Sequence, residues 1–328
     1  MVNNVLRHGN ATSSEIVALT KMGSREMTPE ELEQHKKENK GSRKKTIESW
    51  PGEAANTYIR EMNMERKGQR SLETEVDARP MSWGKMVEYL VFLLLGMEYV
   101  LSSTETLLHP IIRWWAGSPD GSKEDTVMDI KSPWTLKSFF ALVDPLYNGF
   151  FGIDAMNALR NGWTDNLGVY HKPHPDAEKY YWQLVSNSIL LNKKYAELVV
   201  YMPYFSELEA IKAEAMKPEN ASKFAWIAMQ QDSQLPYIPD GGYYQNINII
   251  RFEVPEADKM LLTKRVLQAG VMLYENKDLA IMFSHWEECA GSVSAELTID
   301  FVGNDDFVKS VYTNDLQYEQ LFELSEAE

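Results

Sequence analysis

Asp120, Asp129 and Lys131 have the residue types and the spacing that phosphoester chemistry requires. Asp120 lies in Gly117-Ser-Pro-Asp-Gly121, a tight glycine-bounded turn at the end of a predicted strand. Nine residues later, in Val127-Met-Asp-Ile-Lys-Ser-Pro133, Asp129 and Lys131 stand two apart on the next predicted strand. Side chains alternate along a strand, so these two share a face while Ile130 turns into the core. A β-turn connection folds Asp120 back towards them. Adjacent carboxylates repel and raise a pKa unless a cation neutralises them. A hard divalent metal held by oxygen ligands and waters is the natural partner, with the Ile130 carbonyl as a further ligand. A lysine beside that metal can orient or deprotonate a water, or stabilise the phosphorane. Singly, D-x-K on an edge strand is commonly a solvated face and PDG commonly a turn. Their combination in this order is what points to phosphodiester hydrolysis.

Two further segments join them. Glu88 is a lone carboxylate in the apolar helix begun by Trp83-Gly-Lys-Met-Val-Glu88. A buried unpaired Glu is costly, and a metal shared with Asp120 and Asp129 would satisfy it. The other reading is a helix residue near the surface. In Lys179-Tyr-Tyr-Trp-Gln183, helical spacing puts Tyr180 and Gln183 on one face. Gln183 can then bond the attacking water or a phosphate oxygen. Plain core packing is the alternative for the aromatics.

These residues need a scaffold. The pattern predicts helices over Ser13 to Met22, from Thr28-Pro, and over about Glu53 to Arg66 and Ser82 to Met97. Strands are expected at Ile111 to Ala116, Thr126 to Ile130, Leu198 to Met202 and Asn246 to Val254. Helices are expected at Leu136 to Val143, Asp176 to Asn192, Phe205 to Met216 and Pro255 to Ala269. This order gives an α/β (α+β) domain with a mixed central sheet flanked by helices. Gly149 to Pro175 reads as an inserted, turn-rich loop. The domain is expected over 1–270, with the insertion at about 144–175, and 271–328 as a C-terminal extension with an acidic tail.

The 328 residues can bury a substantial core, and 44% hydrophobic with 25% charged residues is the composition of a globular protein. The longest apolar run, Tyr89 to Met97, is too short to span a bilayer, which takes roughly 20 residues. With a polar N-terminus and one cysteine, Cys289, the expectation is a soluble cytoplasmic protein without disulfides or a cysteine-based zinc site. A net charge of −15 argues against nucleic acid, although total charge is not a local field and Gln34 to Lys45 is basic. His171-Lys-Pro-His-Pro is broken by prolines, Cys289 has no nucleophile motif around it, and Trp114-Trp115 reads as packing rather than base stacking.

The sequence resembles the lambda-type phage exonucleases, the YqaJ-like viral recombinase nucleases of the PD-(D/E)xK, restriction-endonuclease-like superfamily. The matching pieces are Thr12-Ser-Ser-Glu15, Trp83 to Glu88, Ser118 to Gly121, Asp129 to Pro133, Tyr180 to Gln183 and Leu198 to Tyr204, all in family order. They cover roughly residues 7 to 216. The resemblance implies a restriction-endonuclease-like core in which Glu88, Asp120, Asp129 and the Ile130 carbonyl hold one or two Mg²⁺, with Mn²⁺ as a substitute. Lys131 and Gln183 would handle the nucleophilic water. It also implies a 5′-phosphate site from Arg7 and Ser14, with Arg25 and Tyr180 as further DNA contacts. The implied activity is 5′-to-3′ degradation of double-stranded DNA ends by a ring-shaped trimer that hands the 3′ strand to a single-strand annealing protein. The implied setting is a bacterial cell carrying the phage or prophage. Asp129 stands where the lambda enzyme has Glu, and residues beyond about 270 have no family counterpart. Two readings stay open beside it: an endonuclease using the same core, and a non-catalytic DNA-end-binding accessory protein.

Overall fold

The computed structural model of the chain describes residues 5–39, 43–72, 78–96, 99–101, 106–278 and 305–313. The chain divides into two compact units, one formed by Glu73–Leu107 with Gly117–Glu256, the other by Met1–Leu72, Leu108–Ala116 and Ala257–Glu328. The fold is a mixture of helices with parallel and antiparallel strand pairing, as the pattern of elements predicts.

The first unit is built on a five-stranded sheet. Its strand order is Ile247–Glu253, Tyr195–Tyr201, Thr126–Lys131, Gly121–Lys123 and Val100–Leu101. Tyr195–Tyr201 runs parallel to Thr126–Lys131, and the other neighbours pair antiparallel, so the sheet is mixed. Alternation along Thr126–Lys131 decides which residues meet which helix. Met128 and Ile130 pack with Val199 and Tyr201 against Trp83, Met86, Val87 and Val91 of the Arg79–Leu95 helix. Asp129 points to the other face, where Gln183 of the Ala177–Leu190 helix meets it.

Departures from the expected elements have local causes. Ile111 to Ala116 is expected as a strand, but only Trp115–Gly117 is extended. The Ile111 and Ile112 N–H groups donate to His109 Nδ1, which turns the chain there. The segment expected as a helix from Ser13 is one 3₁₀ stretch, Ile16–Thr20, and the Phe205 helix is a 3₁₀ turn followed by Leu208–Ala215. Gly149 to Pro175 is not a loop. It holds a helix, Gly152–Asn161, that buries Ala155, Met156, Ala158 and Leu159, and a hairpin pairing Trp163–Thr164 with Tyr170–His171. The Pro218–Met229 helix was not anticipated at all. Cys289, residues 40–42 of the basic run, Met97, Glu98 and the acidic tail lie outside the described residues. Among those described, no helix is long and apolar enough to cross a membrane.

In the second unit, Ala11–Thr12 pairs parallel with Trp115 and Ala116, and Trp114 is fully buried with its indole N–H donating to the Val266 carbonyl at 3.0 Å. The Asp305–Thr313 helix buries Val308, Val311 and Tyr312, and Asp305 pairs with Lys264. Gly270, in the Glu256–Val271 helix, faces the Trp114 ring so closely that a Cβ would sit 2.4 Å from it. Alanine is intrinsically better in a helix by about 1 kcal/mol. The clash wins because Trp114 is buried and tethered. Gly270→Ala is therefore expected to cost about 1–3 kcal/mol, read as a lower urea midpoint with an unchanged slope.

Candidate active site

The strands Gly121–Lys123 and Thr126–Lys131 form a hairpin over a two-residue turn, in register Gly121 opposite Met128. One step beyond the last pair, that register sets Asp120 opposite Asp129. Asp120 therefore replaces a strand partner: its Oδ2 accepts the Ile130 N–H at 2.6 Å. A residue's N–H and C=O point to the same strand edge. The Ile130 carbonyl accordingly faces the edge that the neighbouring strand has vacated, beside the Asp120 carboxylate.

Asp129 is fully buried and held from two sides. Gln183 Nε2 donates to Oδ1 at 2.7 Å, and the Lys131 ammonium lies 2.5 Å from Oδ2. Oδ2 has that charge beside it but no well-directed hydrogen bond, so it keeps unused acceptor capacity. Because a carboxylate only accepts, the Gln183 amide nitrogen must face Asp129. That leaves Gln183 Oε1 to accept from a water. Lys131 also lies over the Tyr180 ring, 5.0 Å from its centroid. Burial raises the Tyr180 phenol to about 12, against the opposing effect of Lys131.

The electrostatics are those of crowded carboxylates. Burial pushes Asp120 well above the usual carboxylate range, and the charges of Asp129 and Glu88 push it further. Glu88, half-buried on its helix, is raised by burial and by Asp129, with Lys131 and Lys85 opposing. Burial lowers the Lys131 pKa, but Asp129 and Asp120 more than offset it and hold the ammonium above its ordinary value. Lys131 is thus a fixed cation at neutral pH, suited to stabilising negative charge rather than removing a proton.

Among the described residues, no three His, Cys, Asp or Glu side chains close into a ready-made metal cage. The donor set nevertheless suits a hard cation. Asp120, Asp129 with its unused Oδ2 capacity and the Ile130 carbonyl are all oxygen donors. Mg²⁺ commonly takes only one or two carboxylates and completes its shell with water and phosphate. Glu88 adds a third negative charge nearby.

The remaining residues singled out from the sequence fall elsewhere. In the second unit, Arg7 donates to Ser14 Oγ at 2.9 Å, and Ser14 lies 3.4 Å from Thr12 Oγ1. Tyr58, missed by sequence reasoning, joins them: its hydroxyl accepts the Thr12 N–H at 2.9 Å. Burial raises this phenol to about 12. No spacing signal marked Tyr58, since its partner is 46 residues away. Arg25 is not part of this cluster. It makes a two-pronged pair with Glu31, the residue that closes the Thr28 capping box. The histidines of His171-Lys-Pro-His-Pro are structural: His171 stacks on Trp163 and pairs with Asp165, and His174 Nδ1 accepts the Asp176 N–H.

Glu197 has the same sequence signal as Glu88, a carboxylate within an apolar run. It is closed off instead: Lys123 lies 3.1 Å from Oε1 and the Tyr99 hydroxyl donates to Oε2 at 2.9 Å. Both of its carboxylate oxygens are thereby engaged.

No family model and no curated protein matches the chain. Among solved structures, it is similar to LHK-Exo, an alkaline exonuclease from Laribacter hongkongensis, with 14% identity over 85% of this chain and 90% of that one and a TM-score of 0.41. LHK-Exo in complex with dAMP aligns at 13% identity over 86% and 92%, with a TM-score of 0.41. A phage related exonuclease from Haemophilus somnus 129PT aligns at 12% identity over 87% and 99%, with a TM-score of 0.42.

Proposed function

We propose that the chain is a metal-dependent deoxyribonuclease that degrades double-stranded DNA from its ends, 5′ to 3′, with Mg²⁺ as cofactor and Mn²⁺ as a substitute. The observation that carries this reading is the hairpin that sets Asp120 and Asp129 opposite each other, with Lys131 paired to Asp129. Asp120, Asp129 and the Ile130 carbonyl would hold one or two ions, with Glu88 close by. The bound metal would supply a nucleophilic water at neutral pH and Lewis-acid stabilisation of the phosphoryl oxygens. Gln183 fixes the Asp129 rotamer, and its Oε1 would be available to accept from such a water. Lys131, held protonated, stabilises charge building on the phosphorus oxygens.

The Arg7, Ser14, Thr12 and Tyr58 cluster suits an anionic end group, because a guanidinium and hydroxyls are strong phosphate donors. It supports assigning Arg7 and Ser14 to a 5′-phosphate, and it does not support adding Arg25. A homotrimer, a single-strand annealing partner and a phage-type recombination role complete the reading.

The test uses linear duplexes with 5′-phosphate or 5′-hydroxyl ends beside a covalently closed circle. An exonuclease leaves the circle intact, whereas cutting of the circle would establish an endonuclease. No Mg²⁺-dependent cutting of any substrate would leave only end binding. Arg7→Ala is expected to remove the preference for 5′-phosphate, a loss of about 10- to 100-fold for one charge-assisted contact. Equal rates on both ends in the parent would remove the end-recognition assignment.

A further inference from the structure

The segment that carries Arg7 and Ser14 is docked on one face of the Glu53–Gly68 helix. At one end, Glu65 Oε2 accepts the Gly9 N–H at 2.8 Å, and Arg66 donates to the Gly9 carbonyl at 2.6 Å and to Asn10 Oδ1 at 3.0 Å. Gly9 has φ +66°, and a Cβ there would sit 2.3 Å from Arg66 Cγ, so this close approach needs a glycine. At the other end, the Tyr58 hydroxyl accepts the Thr12 N–H at 2.9 Å. Tyr58 and Glu65 are about two helical turns apart, so one face of the helix serves both ends. Tyr58 also reaches a side chain: its oxygen lies 3.3 Å from Thr12 Oγ1.

Counting donors and acceptors assigns the protons of this cluster. A hydroxyl has one proton to give and two lone pairs to accept with. Burial raises Tyr58 to about 12, so at neutral pH the phenol keeps its proton. One Tyr58 lone pair takes the Thr12 N–H, and giving the phenolic proton to Thr12 Oγ1 leaves no buried donor unmade. Thr12 is itself buried, and its own proton then goes on to Ser14 Oγ, 3.4 Å away. Ser14 also accepts from Arg7 at 2.9 Å, so both its lone pairs are filled. Its proton is left for an acceptor outside the cluster, beside a guanidinium. Ser14 and Arg7 are only partly buried, so such an acceptor can reach them from solvent.

We infer that Tyr58 is a positioning residue for the 5′-phosphate: acting through Thr12, it holds Ser14 as a hydrogen-bond donor without touching the phosphate itself. The nature of the ligand rests on the end-recognition reading above. Without the phenol, Thr12 Oγ1 is free to accept the Ser14 proton instead. Ser14 would then turn a lone pair towards the anion, and the charge-assisted contact beside Arg7 would be lost. The two hydroxyl pairs, at 3.3 and 3.4 Å, exceed the usual O–H···O length of about 2.7–2.8 Å. Each link of this relay is therefore weak, and the expected effect is that of one ordinary hydrogen bond.

The experiment measures binding of the full chain, with Ca²⁺ in place of Mg²⁺, to linear duplexes ending in 5′-phosphate or 5′-hydroxyl. The readout is the ratio of the two affinities, because a merely structural loss weakens both alike. The parent is expected to prefer the phosphate, and Tyr58→Phe, which keeps the ring, should lower that ratio by about 2- to 10-fold. Thr12→Val, which cuts the relay at its middle, should do the same, and Thr12→Ser should keep the parent's ratio. In a Ser14→Ala background, Tyr58→Phe should change the ratio no further. An unchanged ratio in Tyr58→Phe overturns the relay and leaves end recognition standing, as does a further loss in the Ser14→Ala background. Should Tyr58→Phe not fold, the Thr12 variants carry the comparison: a lower ratio in Thr12→Val than in Thr12→Ser supports the relay, and equal ratios overturn it. A parent that binds both ends equally overturns the relay together with the end-recognition reading.

Discussion

Lys131→Ala is expected to slow phosphodiester cleavage by about 10²- to 10³-fold, the usual effect of removing one charge-stabilising group from a transition state. Lysine 131 is held protonated by Asp129 and Asp120, so its loss removes a fixed positive charge rather than a base. The rate should therefore fall across the whole pH profile, without a shift in the position of either limb. A lysine acting as proton acceptor would instead give a profile whose acid limb disappears in the variant.

The same substitution should destabilise the metal-free protein. Asp129 is fully buried, and after the change its charge would keep, among the described residues, the Gln183 amide as its close partner. Breaking a buried pair by removing one member typically costs about 3–5 kcal/mol. Because Lys131 keeps 21% of its side chain in solvent, the lower end applies. Replacing both charges, as in Asp129→Asn with Lys131→Met, should recover most of the stability and none of the activity. Urea unfolding of the single and double variants measures the first quantity, and single-turnover cleavage measures the second. A double variant as unstable as the single one would show that the ion pair is not the source of the loss.

How far the sequence disclosed this site depends on how local the determinants are. Asp120, Asp129 and Lys131 were legible because a hairpin is a short-range object. Two-residue alternation fixes which side chains share a face, and a tight turn fixes the register. Gln183 was legible as a helix-face residue but not in its role. Only the geometry reveals that its amide nitrogen is committed to Asp129, which makes it an orienting group for that carboxylate. Tyr58 was invisible for the opposite reason. Its partner lies far away in the chain, and an aromatic in a mixed sequence gives no periodic signal.

The fold divides along the same line. The strands Tyr195–Tyr201 and Ile247–Glu253, rich in β-branched and aromatic residues, were expected within a few residues of where they lie. Ile111 to Ala116 has equally strand-like residues, but a buried His109 captures two backbone N–H groups that a strand would have used. Tertiary capture of this kind overrides propensity. The Gly152–Asn161 helix was hidden by the glycines and asparagines around it, although four of its residues form a buried apolar stripe. Glu197 shows the limit of the buried-carboxylate argument: the signal that exposed Glu88 marks an ion-paired structural residue equally well.

Asp120→Asn is expected to abolish cleavage and, at the same time, to make the metal-free protein more stable above neutral pH. The Asp120 and Glu88 carboxyls have folded-state pKa values above their ordinary 3.8 and 4.5, from burial first and from their neighbours' negative charge second. In the window between the ordinary and the raised values, the folded state binds more protons than the unfolded state. Stability therefore falls as pH rises through that window. A bound divalent cation would reverse this penalty, and protons would compete with it for the same oxygens. In the parent, Mg²⁺ at about 100 times its dissociation constant should stabilise by about 2.7 kcal/mol at pH 8, and by clearly less at pH 5.5. Asparagine at 120 keeps an oxygen that can accept the Ile130 N–H, so the hairpin should hold its geometry. The charge it removes should raise the metal-free melting temperature by roughly 1–2 °C for each kcal/mol of repulsion relieved. It should also erase most of the Mg²⁺-dependent increment. Melting curves of parent and variant at the two pH values, with and without Mg²⁺, give all four quantities. An unchanged Mg²⁺ increment in the variant would mean that the ion binds without Asp120, and a parent whose stability rises from pH 5.5 to 8 without metal would mean that these carboxyls do not repel as described.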